Sequence, residues 1–461
     1  MSETEALAPR PIPRAERRRT VIAASAGNFV EWYDWGIYGV VATIIGKQFF
    51  PPGSEVVGLL SAYAIFATSY LMRPIGSAIF GHIGDKLGRR RALSLTIIIT
   101  CTGTALIGCV PGYRTLGFAA PVLLLLMQLI QSFGTGGEYA TAISFVYEHG
   151  RRGRKATAVG SLTAMTFVGF LVGSLFATIL SATMPADSYE AWGWRVLFWL
   201  AVPMGIVGLY LRRKTEEGEE FRALQRALAR RKETVRSPFF EAMRTHWRRI
   251  GIFVAFLGTW AIISATLTSY LTTFLKNNEA LSSTQAYAAN TLGSVMIIVF
   301  VLLFSPFADR LGLRRATIIG SLVVAVGVIP GFALAGSGVV GGFVGAAVLG
   351  LCKGVMAVPS LLAVSQIFPA RIRVTAGGLS YNIAQSVLGG TAPLIAVWLN
   401  SASGTSLFFA SYLVLAALVT LAITLVYAKR WIAETADYSG DVQGGPVPAG
   451  QPLPTGAAGG V

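Results

Sequence analysis

The chain has little of what soluble enzymes use for chemistry. Its 461 residues include only 3 cysteines and 3 histidines, and charged residues make up 13% of the total. A typical soluble domain is about a quarter charged. The cysteines lack the spacing of zinc ligands or of a disulfide framework, and no phosphate-binding loop or nucleophile–base motif is present. The sequence therefore predicts a protein that is not an enzyme and holds no cofactor or metal.

Long apolar runs dominate instead. Hydrophobic residues make up 53% of the chain, and about 20 helical residues cross a bilayer. We predict an all-α integral membrane protein whose twelve transmembrane helices lie near residues 21–45, 57–80, 92–110, 119–146, 155–184, 193–211, 250–275, 286–308, 315–335, 339–366, 375–401 and 405–429. The predicted domains are a basic segment at 1–20, six-helix bundles at 21–211 and 250–429, a linker with a surface helix at 212–249, and a disordered tail at 430–461.

A short charged phrase occurs twice, 224 residues apart. Residues 81–91 read GHIGDKLGRRR and residues 305–315 read SPFADRLGLRR, and both copies lie between apolar runs. A repeat of nearly half the chain length is typical of the duplicated, pseudo-symmetric bundles of secondary transporters.

The basic residues indicate orientation. The net charge is +16, and most of the 38 lysines and arginines fall on one side of the predicted topology. The other side holds only Lys47, Arg114, Arg195 and Lys276. We predict that the protein lies in the plasma membrane (the bacterial inner membrane). The positive-inside rule then places both termini in the cytoplasm. The charge predicts contact with membrane lipids and no binding of nucleic acid.

Acidic residues inside predicted spans are candidates for proton coupling. A charge at the centre of a membrane helix costs about 2.5–3.5 kcal/mol, so each needs a reason. Glu31 and Asp34 share one face of the first span, and Glu138 lies in the fourth. Each is predicted either to carry the coupled proton or to be the structural partner of a basic residue such as Arg73.

The fourth span carries a polar stripe that ends at Glu138. Its other members are Gln128, Gln131 and Thr135, and their spacing predicts one helical face. We predict that Gln128 and Gln131 contribute to substrate binding. Neighbouring glycines would let another helix or a ligand approach closely.

Two cations lie at membrane depth. Arg73 is about 12 Å from Gly81 along a helix, and its guanidinium is predicted to hold a carboxylate of the substrate or of an internal acid. Lys353 falls in the middle of the tenth span. It is predicted either to bind a substrate anion or to reach an interface by snorkelling.

The repeated phrase predicts a gate. Asp85 and Asp309 are expected to accept hydrogen bonds from a helix N-terminus, with the neighbouring arginines pairing across the same face. Those arginines are Arg89, Arg90, Arg91, Arg314 and Arg315. The alternative is that these loops only follow the positive-inside rule.

The repeated phrase resembles the signature loop of the major facilitator superfamily, although Ser305 and Leu313 depart from the pattern. Seven further stretches resemble its metabolite:proton symporter family. They are residues 27–34 (GNFVEWYD), 73–76 (RPIG), 136–139 (GGEY), 193–195 (GWR), 368–373 (FPARIR), 381–382 (YN) and 389–393 (GGTAP).

The resemblance implies a monomeric symporter that moves a small organic acid or zwitterion together with protons by alternating access. It also implies roles for Tyr381 and Asn382 in substrate binding and for Arg195 in gating. Gln128 departs from the family, in which many members carry Arg or Lys. The proline-containing motif of drug antiporters is missing from the fifth span, which favours uptake over the alternatives of an efflux antiporter and a transport-dead sensor.

Overall fold

Helices make up the whole architecture of the part of the chain that the structure describes. The structure is a computed structural model, and it describes residues 29, 32–33, 36–87, 89–136, 138–149, 153–213, 238–278, 281–368, 373–405 and 407–441. None of these residues lies in a β-strand. Helices are expected, because a backbone surrounded by hydrocarbon must satisfy its own hydrogen bonds.

The first half of the chain supplies six membrane helices. They are α1 (Ala42–Phe49, after helical residues 36–40), α2 (Glu55–Ser69 and Met72–Leu87), α3 (Arg89–Ile107), α4 (Ala119–Gly134 and Glu138–His149), α5 (Lys155–Thr183) and α6 (Arg195–Trp199 and Ala201–Arg213). Short helical turns at Tyr113–Leu116, Ala186–Ser188 and Tyr189–Gly193 connect them.

The second half repeats this plan. Its helices are α7 (Pro238–Phe256, Gly258–Ala265, the π-helical Thr266–Tyr270 and Leu271–Asn278), α8 and α9 within Ser283–Ala335, α10 (Val339–Gln366), α11 (Arg373–Gly377 and Gln385–Gly389, both π-helical, with Gly378–Ala384 and Ala392–Ser403) and α12 (Leu407–Asp441). Gly312, with φ of 74°, breaks Ser283–Ala335 into α8 and α9. Such a positive φ favours glycine, which has no Cβ.

Several of the described helices are long enough to cross the bilayer. Six helices in the described ranges are long and apolar enough to cross it, including the 53-residue pair α8–α9. Two bent pairs, at α6 and α7, add two spans, and α3 and α4 contain shorter apolar helices. Together with α1 they give the predicted all-α fold of twelve transmembrane helices in two six-helix bundles, which is confirmed.

The bounds of the described helices differ in detail from two sequence expectations. α12 continues through Asp441, so the tail does not become disordered at residue 430. The polar stripe of the fourth span is divided between two helical segments, since Gln128 and Gln131 lie in Ala119–Gly134 and Glu138 begins Glu138–His149. The predicted surface helix of the linker falls largely in 214–237, which lies outside the described residues, as does the chain after 441.

Glycines allow the close packing of the first bundle. A Cβ at Gly136 would overlap the Arg73 carbonyl of α2, and one at Gly134 would lie 2.9 Å from the Thr100 backbone nitrogen of α3. A Cβ at Gly169 of α5 would lie 2.6 Å from the Phe29 carbonyl oxygen. The close approach of a neighbouring helix that was predicted at the glycines of the fourth span is confirmed, since a residue without a Cβ leaves room for backbone contact.

The two bundles meet along α5 and α8, which run antiparallel. Near one end Gly160 of α5 faces Ser305 of α8 so closely that a Cβ would overlap its hydroxyl. Further along, the Ser174 hydroxyl donates to the Tyr287 carbonyl at 3.0 Å and accepts from the Asn290 amide at 3.2 Å. The bundles are therefore in contact over most of the length of the two helices.

Candidate functional site

Lys353 lies where the two bundles meet. It stands in the middle of α10 and is fully buried (0% exposed), so snorkelling is excluded. Its Nζ donates to the Ser264 carbonyl of α7 at 3.2 Å. The same Nζ lies 4.4 Å from the ring centroid of Phe167 and 5.6 Å from that of Phe170, both on α5. A cation of the second bundle is thus held against aromatic rings of the first.

Six buried aromatic side chains connect at this point, and we call them the aromatic cluster. They are Trp32, Tyr139, Phe167 and Phe170 of the first bundle and Trp260 and Tyr381 of the second. Neighbouring ring centroids lie 5.8 Å apart for Phe167–Phe170, 5.5 Å for Trp32–Phe170, 4.9 Å for Trp32–Tyr139, 5.6 Å for Tyr139–Tyr381 and 6.2 Å for Phe167–Trp260. The cluster therefore spans the interface between the two bundles.

A π-helical turn positions the carbonyl that binds the lysine. α7 passes from Gly258–Ala265 into the π-helical Thr266–Tyr270. A π-turn shifts the backbone hydrogen-bond register, so that nearby carbonyls become open to side-chain donors. The Ser264 carbonyl accepts from both Lys353 Nζ and the Thr268 hydroxyl, the latter at 2.7 Å. The Ser264 hydroxyl is itself buried, with no hydrogen-bond partner in the described part of the chain.

These contacts offset the cost of burying the ammonium. A charged side chain at membrane depth costs about 2.5–3.5 kcal/mol on insertion scales. A desolvated cation over an aromatic face gains about 2 kcal/mol, and a hydrogen bond to a charged group gains about 1.5–3 kcal/mol. Lys353 is therefore held by a near balance of these terms, which an arriving anion would change.

The other predicted substrate-binding residues differ in their surroundings. Gln128 is buried on α4, and its Nε2 has no hydrogen-bond partner among the described residues. Gln131 instead donates from Nε2 to the Thr104 hydroxyl of α3 at 2.8 Å, within the first bundle. Tyr381 belongs to the aromatic cluster and accepts from Gln385 Nε2 at 3.2 Å, and Asn382 beside it is 6% exposed. The structure thus brings Tyr381 into the same cluster as Lys353 and places Gln131 between α3 and α4.

Arg73 is buried at the start of the second segment of α2. Its guanidinium carbon lies 4.3 Å from the ring centroid of Tyr70 on the same helix. Glu31 and Asp34 lie outside the described residues, and nothing is described of the side chain of Glu138, the first residue of the second α4 segment. An ion pair between Arg73 and any of these acids therefore stays a prediction.

Asp309 makes the contact that the repeated phrase predicted. Its carboxylate accepts from the backbone N–H of Ala156 at 2.7 Å and of Thr157 at 3.0 Å, and from the Thr157 hydroxyl at 2.5 Å. These groups form the N-terminus of α5, where a carboxylate is favoured by the free N–H groups and the helix dipole. The contact joins α8 of the second bundle to α5 of the first, at what we call the Asp309 end.

The remaining predicted gating residues are less informative. Arg195 donates from Nη1 to the carbonyls of Gly108 at 2.9 Å and Val110 at 2.6 Å. Both acceptors lie at the end of α3, so in this conformation Arg195 joins α3 to α6 within one bundle and does not bridge the two. Arg314 is half-buried and Arg315 exposed, whereas the side chains of Asp85, Arg89, Arg90 and Arg91 lie outside the described part.

The opposite end of the bundle has contacts that sequence reasoning missed, and we call it the Tyr63 end. The Tyr63 hydroxyl of α2 donates to the Ser269 carbonyl of α7 at 2.6 Å and lies 2.9 Å from the Thr273 hydroxyl. Lys276 of α7 donates to the Thr43 hydroxyl of α1 at 3.1 Å. The described residues thus hold the two bundles in contact at both ends, with Lys353 fully buried between them.

Sequence reasoning also missed Phe167, Phe170 and Trp260. Phe167 and Phe170 are three residues apart on α5, which places them on one face. The same spacing is typical of ordinary packing in an apolar helix, so nothing in the sequence separated these rings from the core. Among the described residues, no three His, Cys, Asp or Glu side chains come together as metal ligands would.

Two pseudo-symmetric six-helix bundles with a buried cation at their junction define a secondary transporter of the membrane. Residues 24–289 match the Major Facilitator Superfamily, and the chain belongs to that superfamily, within its metabolite:proton symporter type. The fold is similar to that of the xylose transporter XylE from E. coli in a partially occluded inward open conformation. The TM-score is 0.67 at 16% identity, over 89% of this chain and 97% of that one.

Curated relatives cover most of the chain. A proline/betaine transporter of Salmonella typhimurium is 35% identical over 425 residues, which are 88% of this chain and 82% of that protein. A glycine betaine/proline/ectoine/pipecolic acid transporter, OusA of Dickeya dadantii, is 34% identical over 434 residues, 90% of this chain and 83% of that protein. The chain is therefore a multi-pass membrane transporter of a small molecule and not an enzyme, as the sequence predicted.

Proposed function

We propose that the protein takes up a small zwitterionic or carboxylate metabolite together with protons, by alternating access between its two bundles. The observation that carries the proposal is Lys353, an ammonium fully buried at the junction of the bundles with a single hydrogen bond to a described residue. A substrate carboxylate would give this ammonium the ion pair that its surroundings lack.

The relatives support a zwitterion. Proline, glycine betaine, ectoine and pipecolic acid, the compounds in the relatives' names, each combine a carboxylate with a cationic nitrogen. A site that offers both an ammonium and aromatic faces has a group for each charge. We therefore favour a zwitterion over a dicarboxylate as the substrate of this chain.

Proton coupling would come from the acids of the first bundle, with Asp34 favoured over Glu31 and Glu138. The Asp309 contact would form the cytoplasmic gate, consistent with the positive-inside rule, which puts the N-terminus of α5 and both chain termini in the cytoplasm. The Tyr63 contacts would then close the outer side. The opening of one set while the other stays closed is the rocking movement expected of this fold.

Reconstitution into liposomes tests the function. The purified full chain, given an inward proton gradient, is expected to accumulate radiolabelled glycine betaine or proline, and a protonophore should abolish the accumulation. Asp34→Asn should lose gradient-driven accumulation while keeping the exchange of external for internal substrate. Unchanged accumulation would remove Asp34 from the proton path, and failure to accumulate any zwitterion or carboxylate would refute uptake.

Vesicles of inverted orientation test the direction of transport. If the protein were an efflux antiporter, it would accumulate substrate there in exchange for protons. A protein without flux in either orientation would instead be a sensor. Uptake in right-side-out vesicles that collapses with the proton gradient is the outcome that supports the proposal.

A further inference from the structure

We propose that Phe167 and Phe170 form the site for the cationic group of the substrate, and that the Lys353 ammonium occupies this site in the empty carrier. A zwitterion would exchange with it: the substrate carboxylate draws the ammonium off the rings, and the substrate cation takes its place. The inference rests on the proposed function, since it concerns how that same site recognises a zwitterion.

The geometry shows that the rings accept a cation. Nζ lies 4.4 Å from the Phe167 centroid and 5.6 Å from the Phe170 centroid, both within the roughly 6 Å at which the ring quadrupole attracts a positive charge. The two phenyl rings are stacked with an angle of 28° between their planes. Their arrangement therefore offers a cation site that a side chain of the protein already fills.

The neighbouring rings extend the site beyond what a lysine needs. Trp32 lies edge-on to Phe170, Tyr139 contacts Trp32, and Trp260 contacts Phe167. Aromatic faces recognise quaternary ammonium groups, whose dispersed charge makes no hydrogen bonds, and the connected rings continue the aromatic lining beyond the two rings that contact Nζ. A methylated or cyclic ammonium fits such a lining better than a primary amine, which gives up its hydration for only one hydrogen bond.

Lys353 is poised to move because it is incompletely satisfied. An ammonium has three N–H donors, and Lys353 makes one hydrogen bond, to the Ser264 carbonyl, within the described part of the chain. A carboxylate would supply a charged acceptor for the remaining donors. The buried hydroxyl of Ser264, which has no partner among the described residues, is a second donor that could bind the same carboxylate.

The exchange predicts selectivity by charge. A cation without a carboxylate meets the lysine ammonium on the rings and is repelled, because two like charges would share one desolvated site. An anion without a cation can pair with Lys353 but leaves the aromatic faces without a charge. Only a molecule that carries a carboxylate and a cation can pair with Lys353 and also fill the aromatic site. One lysine would therefore select against pure cations and against pure anions.

Ligand binding to the purified full chain tests the exchange with three matched probes. Glycine betaine carries both charges, tetramethylammonium carries only the cation, and 3,3-dimethylbutanoate has the shape of betaine without the positive charge. In the wild-type protein we expect betaine to bind at least about tenfold more tightly than either analogue. Lys353→Met keeps an unbranched side chain, one atom shorter, and removes its charge. It should weaken the binding of betaine and strengthen the binding of tetramethylammonium about tenfold or more. Lys353→Gln should do the same.

Substitutions in the rings complete the test. Phe167→Leu should abolish the preference for betaine over 3,3-dimethylbutanoate. Phe167→Trp, which keeps an aromatic ring at this position, should retain the preference. Phe332→Leu is the control, because Phe332 is an equally buried ring that packs on Phe274 and Phe409, away from the aromatic cluster. It should leave the order of the three probes unchanged, and thermal unfolding of each variant would show that it is folded.

The possible failures are distinguishable. If the wild-type protein binds and accumulates betaine but the two Lys353 variants gain no affinity for tetramethylammonium, the exchange is refuted and the proposed function stands. If Phe167→Leu keeps its preference for betaine over the neutral-headed analogue, the rings are not the cation site. If the wild-type protein accumulates neither zwitterions nor carboxylates, the proposed function and this inference both fail.

Discussion

Removal of the Asp309 carboxylate should open the Asp309 end of the bundle. Asp309→Ala deletes three hydrogen bonds to the N-terminus of α5, two of them from backbone N–H groups. Loss of a helix cap costs about 0.5–2 kcal/mol, and loss of a negative charge at a helix N-terminus costs about 0.3–1 kcal/mol. The closed state should therefore lose about 1–3 kcal/mol relative to the open one, a shift of about 5- to 150-fold in their ratio.

The shift can be measured as a distance across the gate. Arg154 and Arg310 are exposed on either side of the contact and tolerate spin labels, provided that the exposed Cys109 is first replaced. The wild-type protein should show mainly the short distance, and Asp309→Ala should show a large population of a longer one. Thr157→Val is the matched control, because it removes one hydrogen bond and keeps the backbone N–H, for a loss of about 1 kcal/mol. Identical distance distributions in Asp309→Ala and the wild-type protein would show that this contact does not hold the Asp309 end closed.

Three further predictions concern other parts of the bundle. Tyr63→Phe removes the hydrogen bonds to the Ser269 carbonyl and the Thr273 hydroxyl. It should destabilise the closed Tyr63 end by about 1 kcal/mol per hydrogen bond. In the double variant it should offset the effect of Asp309→Ala on the ratio of open to closed states. Label distances that move in the same direction in the two single variants would contradict this. Gly39→Val places a Cβ on the Ser269 backbone. The variant should fold, but its Tyr63 end should not close and transport should be lost. Uptake at the wild-type rate would contradict this prediction. Arg195→Met loses two hydrogen bonds at the end of α3, so thermal stability should fall by about 1–3 kcal/mol while uptake per folded molecule and gate distances stay unchanged.

The site shows where sequence reasoning was sufficient and where it was not. Lys353 was identified because a cation in the middle of an apolar span is rare and costly, and Asp309 because its phrase recurs at the same place in each half. Arg195 was expected at a gate, yet its two acceptors lie within its own bundle. Its motif indicated an important residue but not its partner, since a partner distant in sequence depends on how helices pack.

The membrane fold follows from the amino-acid sequence alone. Apolar runs of about 20 residues must become helices in a bilayer, because no water satisfies the backbone there, and the repeated phrase at Asp85 and Asp309 revealed two equivalent bundles. The surroundings of Lys353, in contrast, depend on how the helices pack. The rotation and crossing of α5, α7 and α10 bring Phe167, Phe170 and the Ser264 carbonyl to one ammonium. In a helix that is apolar on every side, a ring in the core and a ring in a binding site have the same periodicity, and only three-dimensional packing distinguishes them.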